Sequence, residues 1–466
     1  MISSAADIIE RHRANLLDRQ LAVTAIILPV VAVLVGVGIA THPIPTLAIF
    51  LGLFGLGVLF VVPPDTLPLL AMCVFCLIPV NDLPLPSVFR AMSPGVIIFA
   101  VWLLRRTRRQ VVPVPRLTKY SAYFVFLCLL TTTIFTISLS RSLVWTFAFT
   151  ASVLLPIFVG GFTAKEGRLI VVGLIALATC LSCFAIAEYM LRNNPLFGHL
   201  YAEAPYPLLQ HWSTYRVTTT LGHPLNNALV FAAAAAAAFA AYLETKLTRF
   251  LLAFMLTLIG VFLSGSRGAL ELTPIVIVVV MVSYIRARKG PLRGLGRVVV
   301  LIAASVVVAG ALYAQTIGAR AESGEARSST NARYEDIRVG MARAEQLHFL
   351  GSGPGTSNSA KNEGVETIGD SRLVIENSYI QLFVSIGIPG LTLVLLLFGS
   401  LVRDGLKRRA LPAAAAFLST ILVIATYNFA EGVRPGLILL GLLGGACLAS
   451  STVDSSVNQF TTRDLV

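Results

Sequence analysis

The chain has few charged side chains for its length. Of its 466 residues, only 13% are charged and 56% are apolar, and the mean hydropathy is +0.81. An ordinary soluble domain carries about 25% charged residues. The shortage of charge therefore excludes an ordinary soluble fold and indicates a chain whose side chains mostly face lipid or a buried core.

Cysteine and histidine are also scarce, with six of each. All six cysteines lie in apolar segments, and two pairs have a C-x-x-C spacing, Cys73 with Cys76 and Cys180 with Cys183. No histidine accompanies either pair, and small thiols are common in helix cores. We therefore expect no metal site and no cofactor.

Long apolar runs are what the sequence has in abundance. Windows of about 17 to 22 apolar residues, enough to cross roughly 30 Å of hydrocarbon as a helix, predict about twelve to fourteen transmembrane helices. The runs are continuous, which favours helices. We predict an all-α fold, a polytopic membrane helix bundle. Its helices are predicted to begin near Leu21, Pro45, Leu67, Pro94, Tyr120, Leu143, Leu169, Leu225, Phe250, Ala269, Val298, Ile386, Ala410 and Val433.

Two long polar segments interrupt the apolar runs. Residues 191–224 are predicted to form a first external loop. Residues 315–385 are predicted to form a larger external loop, which lies between the two halves of the C-terminal motif region and holds an amphipathic helix over residues 331–347. Transmembrane helices fill the remaining parts, which are residues 1–190, 225–314 and 386–466, the last of them ending in a cytoplasmic tail.

The basic residues indicate the orientation. If the N-terminus is inside, most lysines and arginines fall in short cytoplasmic loops such as residues 105–109 and 403–409. We therefore predict that both termini are cytoplasmic and that the two long loops are external. The same asymmetry accounts for the formal net charge of +13 without a nucleic-acid partner.

Four polar motifs fall on the external side in this topology. A charged residue at the boundary of an apolar run, such as Arg267, is by default a candidate functional residue. In chain order the motifs are Arg216 with Gly222-His223-Pro224 and Asn226 or Asn227, then Ser266-Arg267-Gly268, then Arg333 with Gly351-Ser352-Gly353-Pro354-Gly355, and finally Glu376-Asn377-Ser378-Tyr379 with Gly387 and Gly390.

The order and spacing of these motifs resemble the O-antigen ligase and O-antigen/exopolysaccharide polymerase superfamily of membrane glycosyltransferases. The resemblance covers about Arg216 to Gly390. It implies transfer of a glycan from an undecaprenyl diphosphate carrier to an acceptor hydroxyl at the outer face of the cytoplasmic membrane. There is one departure, because Glu376 stands where such ligases carry a histidine before the asparagine.

The implied reaction suggests a role for each type of residue. A departing diphosphate carries concentrated negative charge, and arginine stays charged and binds phosphate oxygens bidentately. We assign this role to Arg267 and Arg216, with Arg333 as a further substrate-binding residue. Glu376 is the candidate general base, and attack opposite the leaving group would invert the sugar carbon. The other predicted substrate-binding residues are Asn377, Tyr379, His223 and Ser266.

Glu376 can act as a general base only in a particular environment. An unperturbed glutamate has a pKa of about 4.3 and a histidine about 6.5, so a glutamate base needs a desolvated site to act near neutral pH. The substitution leaves base chemistry open and shifts our preference within the superfamily from ligase to polymerase.

Each candidate also has a purely structural interpretation. Arg267 can snorkel to lipid headgroups, and Arg216 can be exposed in a wet loop. Arg333 can be a salt-bridge partner on a solvated helix face, and Glu376 can stabilise a helix start. His223 before a proline is as readily structural.

Two alternatives to a polymerase stay open. The first is a ligase that transfers the glycan to lipid A core or another terminal acceptor. The second is a transporter or flippase of the same lipid-linked glycan, which should show internal symmetry and charged or broken helices at mid-membrane depth. The expected partners are an undecaprenyl-diphosphate-linked oligosaccharide or polysaccharide, membrane lipids, and a chain-length regulator or flippase of the same pathway.

Overall fold

The computed structural model describes residues 55, 57, 59–78, 94–106, 113–203, 215–287, 324–358, 375–433 and 436–449. The chain divides into two compact units, Met1–Pro63 and Pro64–Val466. The helices numbered below all lie in the second unit. Most of its described residues are helical, and no strand occurs among them. The predicted all-α fold is confirmed.

The described residues of this unit form thirteen α-helices, which are numbered in chain order. The fourth contains a π-helical stretch, Thr150–Leu154. The helices are α1 (Leu67–Leu77), α2 (Pro94–Arg106), α3 (Arg116–Ile134), α4 (Leu139–Phe158), α5 (Ala164–Leu191), α6 (Gly198–Glu203), α7 (Pro224–Thr245), α8 (Thr248–Leu263), α9 (Arg267–Ala287), α10 (Gly324–Gln346), α11 (Ser378–Lys407), α12 (Leu411–Val423) and α13 (Leu437–Leu448).

Six helices in the described part of the chain are long and apolar enough to cross a membrane, namely α3, α4, α5, α7, α9 and α11. Shorter apolar helices are present as well, among them α8 and α13. The polytopic membrane bundle is therefore confirmed. The helix starts predicted near Leu21, Pro45 and Val298 lie outside the described residues, so the total of twelve to fourteen stays a prediction.

Helix α11 begins at Ser378, ahead of the start predicted near Ile386. Asn377 caps the helix, and its Oδ1 accepts the backbone N–H of Tyr379 at 2.9 Å. The first turn carries Ser378 and Gln381, which are polar yet fully buried. Hydropathy misses this turn because it treats polar residues as loop even where the fold buries and pairs them.

Helix α7 is the core of the bundle. It packs against α5, α8, α9 and α12, and every residue of its alanine run, 232–238, is fully buried. Small side chains let helix backbones approach closely in a membrane. This alanine-rich helix is therefore closely packed along the whole run.

Helix α11 is broken at Gly387. This residue has φ 69° and ψ −176°, a backbone region that is essentially restricted to glycine. Pro389 follows two residues later and has no backbone N–H to donate to the carbonyl of Ser385. Within a membrane, carbonyl groups freed in this way must find other donors.

The loop that follows α10 makes backbone hydrogen bonds across the break in α11. Gly351 in this loop has φ 95°, and a Cβ there would lie 2.5 Å from the carbonyl oxygen of Ser385. The glycine-rich motif and the Gly387 motif are therefore one structural unit. Three backbone hydrogen bonds join them, from the N–H groups of Ser352, Gly353 and Ile388 to the carbonyls of Val384, Ser385 and Phe349, at 3.0, 2.8 and 3.0 Å.

The same loop is wedged against the turn between α3 and α4. The carbonyl of Ser352 accepts hydrogen bonds from the N–H of Ile137 at 3.0 Å and from the hydroxyl of Thr136 at 3.2 Å. A Cβ at Gly355 would lie 2.6 Å from that of Trp145. The segment after α10 is thus anchored between α11 and the α3–α4 hairpin.

We predict that Gly387→Ala lowers the thermal stability of the detergent-solubilised protein and that Gly399→Ala, in the same helix, does not. A Cβ at Gly387 would collide with the carbonyl oxygen of Phe349, and backbone strain in this region costs on the order of 1–3 kcal/mol. At Gly399 a Cβ would meet nothing within 4 Å. The midpoint of thermal unfolding is the measurement, and equal midpoints for both variants would contradict the role of the break.

Candidate active site

Helices α7, α9 and α11 begin at one end of the bundle, which we call the motif end. It comprises residues 215–223, 263–267, 348–358, 375–377 and 424–433. Contacts link these segments, and the four sequence motifs therefore meet at one end of the bundle. The links are Val217 N–H to Leu263 carbonyl (3.3 Å), Gly268 packed on Thr426, and Ser378 hydroxyl to Tyr427 carbonyl (2.8 Å).

A buried carboxylate organises the loop before α7. Glu188, near the end of α5, is fully buried. Its oxygens accept the backbone N–H groups of Thr218 at 2.7 Å and Thr219 at 2.9 Å, and the hydroxyl of Tyr215 at 3.1 Å. Sequence patterns single out Glu188 only as an acidic residue near a helix end. Its role depends on partners about thirty residues later in the chain.

Asn227 holds the same loop from the other side. Its amide nitrogen donates to the carbonyls of Val217 at 3.2 Å and Thr218 at 2.7 Å, and its Oδ1 accepts the hydroxyl of Thr219. Glu188 and Asn227 together fix residues 217–219, which directly follow Arg216.

Arg216 lies against the turn between α8 and α9. It is buried, and its Nε donates to the carbonyl of Ser264 at 2.9 Å. Its side chain runs past Gly265, where a Cβ would lie 3.2 Å from that nitrogen. The structure therefore brings Arg216 to the Ser266-Arg267-Gly268 motif, and the wet, exposed position that we considered for Arg216 is wrong.

Arg267 is the first residue of α9 and is half-buried. It makes no hydrogen bond or ion pair with any residue that the structure describes. A cation at a helix N-terminus is opposed by the helix dipole, so an anion bound there would relieve an unfavourable arrangement. Ser266 lies before it as a helix cap, with its hydroxyl oxygen 3.4 Å from the backbone N–H of Ala269.

His223 caps α7. Its Nδ1 accepts the backbone N–H of Leu225 at 3.2 Å. Burial, together with the nearby charge of Arg216, lowers the pKa of His223 to about 4. The imidazole is therefore neutral at neutral pH.

Arg333 and Glu376 form a second group. Arg333, on α10, lies with its Nε 3.6 Å from Oε2 of Glu376, and both side chains are partly exposed. The backbone N–H of Glu376 donates to Oδ2 of the buried Asp336 at 3.1 Å. Glu376 is held in place, but it does not lie in the desolvated site that a carboxylate base requires.

Asn377 and Tyr379 both have structural partners. Asn377 is the cap of α11, so Glu376 is not. The hydroxyl of Tyr379 donates to the carbonyl of Ile421 at 2.5 Å. These two residues fix the start of α11 beside the end of α12.

The segment between α12 and α13 contacts the first turns of both α9 and α11. Thr426 packs against Gly268 of α9, and Asn428 accepts a hydrogen bond from Gln381 of α11 at 2.5 Å. Arg267 and Glu376 thus adjoin the same segment, although no direct contact joins them.

Glu431, in this segment, has no place in the sequence motifs. It is buried and accepts the N–H and hydroxyl of Ser357 at 3.1 and 2.6 Å, and the hydroxyl of Ser385. It thereby ties the loop after α10 to the broken helix.

A bundle of membrane-spanning helices with a polar site at one end defines a multi-pass membrane protein. Residues 250–395 match the family model described as O-antigen ligase. The match confirms the resemblance of this part of the chain to the O-antigen ligase and polymerase superfamily, which the motifs carry. The match includes Arg267, Arg333 and Glu376, while Arg216 and His223 lie outside it. No curated protein matches the chain.

The family match supports a membrane enzyme of the O-antigen ligase or polymerase type, with a lipid-linked polysaccharide as substrate. Within the described residues, no group of three or more His, Cys, Asp or Glu side chains is placed to hold a metal ion.

We predict that the protein loses stability as the pH falls from about 6.5 towards 4 and that His223→Asn reduces this loss. The unfolded histidine, with a pKa of about 6.5, binds protons in this range that the folded one, with a pKa of about 4, does not, so protonation favours unfolding. Asparagine also caps helices well. His348→Asn, at an exposed position, is the control and should leave the pH dependence unchanged in thermal unfolding.

We predict that Glu188→Gln destabilises the protein by about 1–3 kcal/mol and lowers its activity. One carboxylate oxygen is replaced by an NH₂ group that faces backbone N–H donors, and the loop that carries Arg216 loses an acceptor. Glu345→Gln, at an exposed position, is the matched control. Equal denaturant midpoints for the two variants would contradict the role of Glu188.

Proposed function

We propose that the protein is a polysaccharide polymerase of the bacterial surface, a glycosyltransferase that uses an undecaprenyl-diphosphate-linked glycan as donor. The observation that carries this proposal is that two arginines meet at the turn between α8 and α9, where a spanning helix starts. Arg216 is buried and bonded to Ser264, whereas Arg267, three residues beyond Ser264, has no partner in the described part of the chain.

The two arginines suit a diphosphate leaving group. As the bond between the sugar and the phosphate oxygen breaks, its electron pair moves to that oxygen, and two guanidinium groups stabilise the developing charge. The N-terminus of α9 adds its backbone N–H groups and dipole. This scheme requires no metal ion.

Glu376 is the proposed base. It removes the proton of the acceptor hydroxyl, whose oxygen then forms a bond to the anomeric carbon opposite the departing phosphate and inverts it. Arg333 and Asp336 hold the glutamate at the start of α11. The bound glycan covers Glu376 and supplies the desolvation that the free site lacks.

The capping residues contribute by positioning the charged residues of the site. His223, Ser266 and Asn377 begin the helices next to Arg216, Arg267 and Glu376 respectively. Tyr379 fixes α11 against α12. The side chains that contact the substrate are chiefly those of Arg216, Arg267 and Glu376.

We place the protein in the cytoplasmic (inner) membrane, with both termini cytoplasmic and the motif end outside. The short loops rich in lysine and arginine support this orientation. The donor then reaches the site from the outer leaflet.

A flippase of the same lipid-linked glycan is the second candidate, because α11 is broken within its span, as helices of transporters often are. Loop 349–353 supplies backbone hydrogen bonds across this break. The break therefore needs no substrate or ion to satisfy its carbonyl groups, and we prefer the enzyme.

We predict that Arg267→Ala lowers the rate at which purified protein releases the diphosphate carrier by a factor on the order of 10²–10³, the loss typical of one missing charge-stabilising donor. Arg338→Ala is the control, because that side chain is exposed and pairs with Glu335. Glu376→Ala should also abolish turnover, and Glu376→His should retain more activity. Full activity of Arg267→Ala or Glu376→Ala would refute the mechanism.

The products distinguish the alternatives. A polymerase given only a carrier-linked repeat should form a ladder of longer chains. A ligase should form none until a terminal acceptor is added, and a flippase would leave every glycosidic bond intact.

A further inference from the structure

Helix α10 packs against α11 through one face. Asp336, Gly340 and Ala344, spaced four residues apart, are buried. A Cβ at Gly340 would lie 2.7 Å from the side chain of Ile380 in the first turn of α11. Helix α10 is therefore attached to the end of a membrane-spanning helix.

A second face of α10 is apolar and exposed. Tyr334, Ile337 and Met341 are 70%, 43% and 49% exposed. Their spacing of three and four residues places them in one stripe along the helix. An apolar stripe of this kind on a water-facing helix would be unfavourable.

The segment that follows α10 joins the stripe to the spanning helices. Leu350 follows α10 and is 65% exposed. Its neighbour Phe349 is bonded to Ile388 of α11, and Ser352 is bonded to the α3–α4 turn. Exposed apolar side chains continue on these helices, at Ile388 and at Ile134 and Phe135.

A third face of α10 is polar. Glu335 and Arg338 form an ion pair at 2.6 Å, and Ala342 and Glu345 are exposed beside them. At about 100° per residue, Ile337 and Ala342 lie roughly 140° apart around the helix. Helix α10 thus has a buried face, an exposed apolar face and an exposed polar face.

We propose that α10 is an interfacial helix that lies on the phospholipid bilayer, with Tyr334, Ile337 and Met341 inserted among the lipids. A helix of this type buries its apolar side about 5–10 Å into the boundary between headgroups and acyl chains. The exposed apolar side chains at the end of α3 and at the break of α11, beside the segment that follows α10, favour the bilayer over a protein partner as the occupant.

The lipid contact has a consequence for the site. Helix α10 also carries Arg333 and Asp336, which contact Glu376. An α10 held at the interface therefore holds Glu376 at headgroup depth, the level of the phosphates of a membrane-anchored carrier. This consequence rests on the proposed function, whereas the lipid contact does not.

The test compares Ile337→Trp with Ala342→Trp in the full-length protein. Each variant is placed in phosphatidylcholine nanodiscs with acyl chains brominated near the glycerol end, and in unbrominated ones. The fluorescence added relative to the unsubstituted protein is then measured with and without iodide. We expect bromine to quench the tryptophan at 337 at least about twofold more than that at 342, as a helix half-immersed in lipid predicts, and iodide to show the reverse order.

Two results would overturn the proposal. One is equal quenching by iodide at both positions, which would place the stripe in water. The other is quenching of the tryptophan at 337 by neither agent, which would mean that protein covers it. Met341→Trp is measured in parallel, so that a poorly folded Ile337 variant does not decide the outcome. The readout needs no turnover, so its failure is distinguishable from failure of the proposed activity.

Discussion

Helix α11 can cross a membrane only if the carbonyl groups freed at Gly387 find donors, since hydrocarbon offers no water to bind them. The loop that follows α10 supplies these donors, through the N–H groups of Ser352 and Gly353. The segment after α10 is thereby held between α11 and the α3–α4 turn. These hydrogen bonds fix the segment after α10, and with it the positions of α10 and Glu376. Glu431, in the segment before α13, accepts further hydrogen bonds from the hydroxyls of Ser357 and Ser385.

Charge placement at the motif end depends on a second set of buried contacts. Glu188 and Asn227 satisfy the backbone of residues 217–219, and Arg216 is carried from there onto the turn before Arg267. Two cations therefore lie near the start of α9, where the helix dipole also favours an anion. The diphosphate binding that we propose for this end depends on both arginines, which the fold brings to the same turn.

Hydropathy was sufficient to predict that the protein is a membrane helix bundle, and it located most helix starts, including those near Leu67 and Pro94. It works because the requirement for apolar side chains is local to each span. It failed at the first turn of α11, where Ser378 and Gln381 are polar but buried. Their hydrogen-bond partners lie in the segment after α12, and no local pattern reveals a partner so distant in the chain.

By itself the sequence determined the class of protein, most of the described helix starts and the charged residues at the motif end, since composition and motif order are properties of the chain. Tertiary structure decided what those residues do. It showed that Ser266 and Asn377 cap helices, that Arg216 is buried beside the Arg267 motif, and that Glu376 is partly exposed and paired with Arg333. The physical reason is that burial and hydrogen bonding depend on which distant segments meet, and the packing of helices and loops sets this.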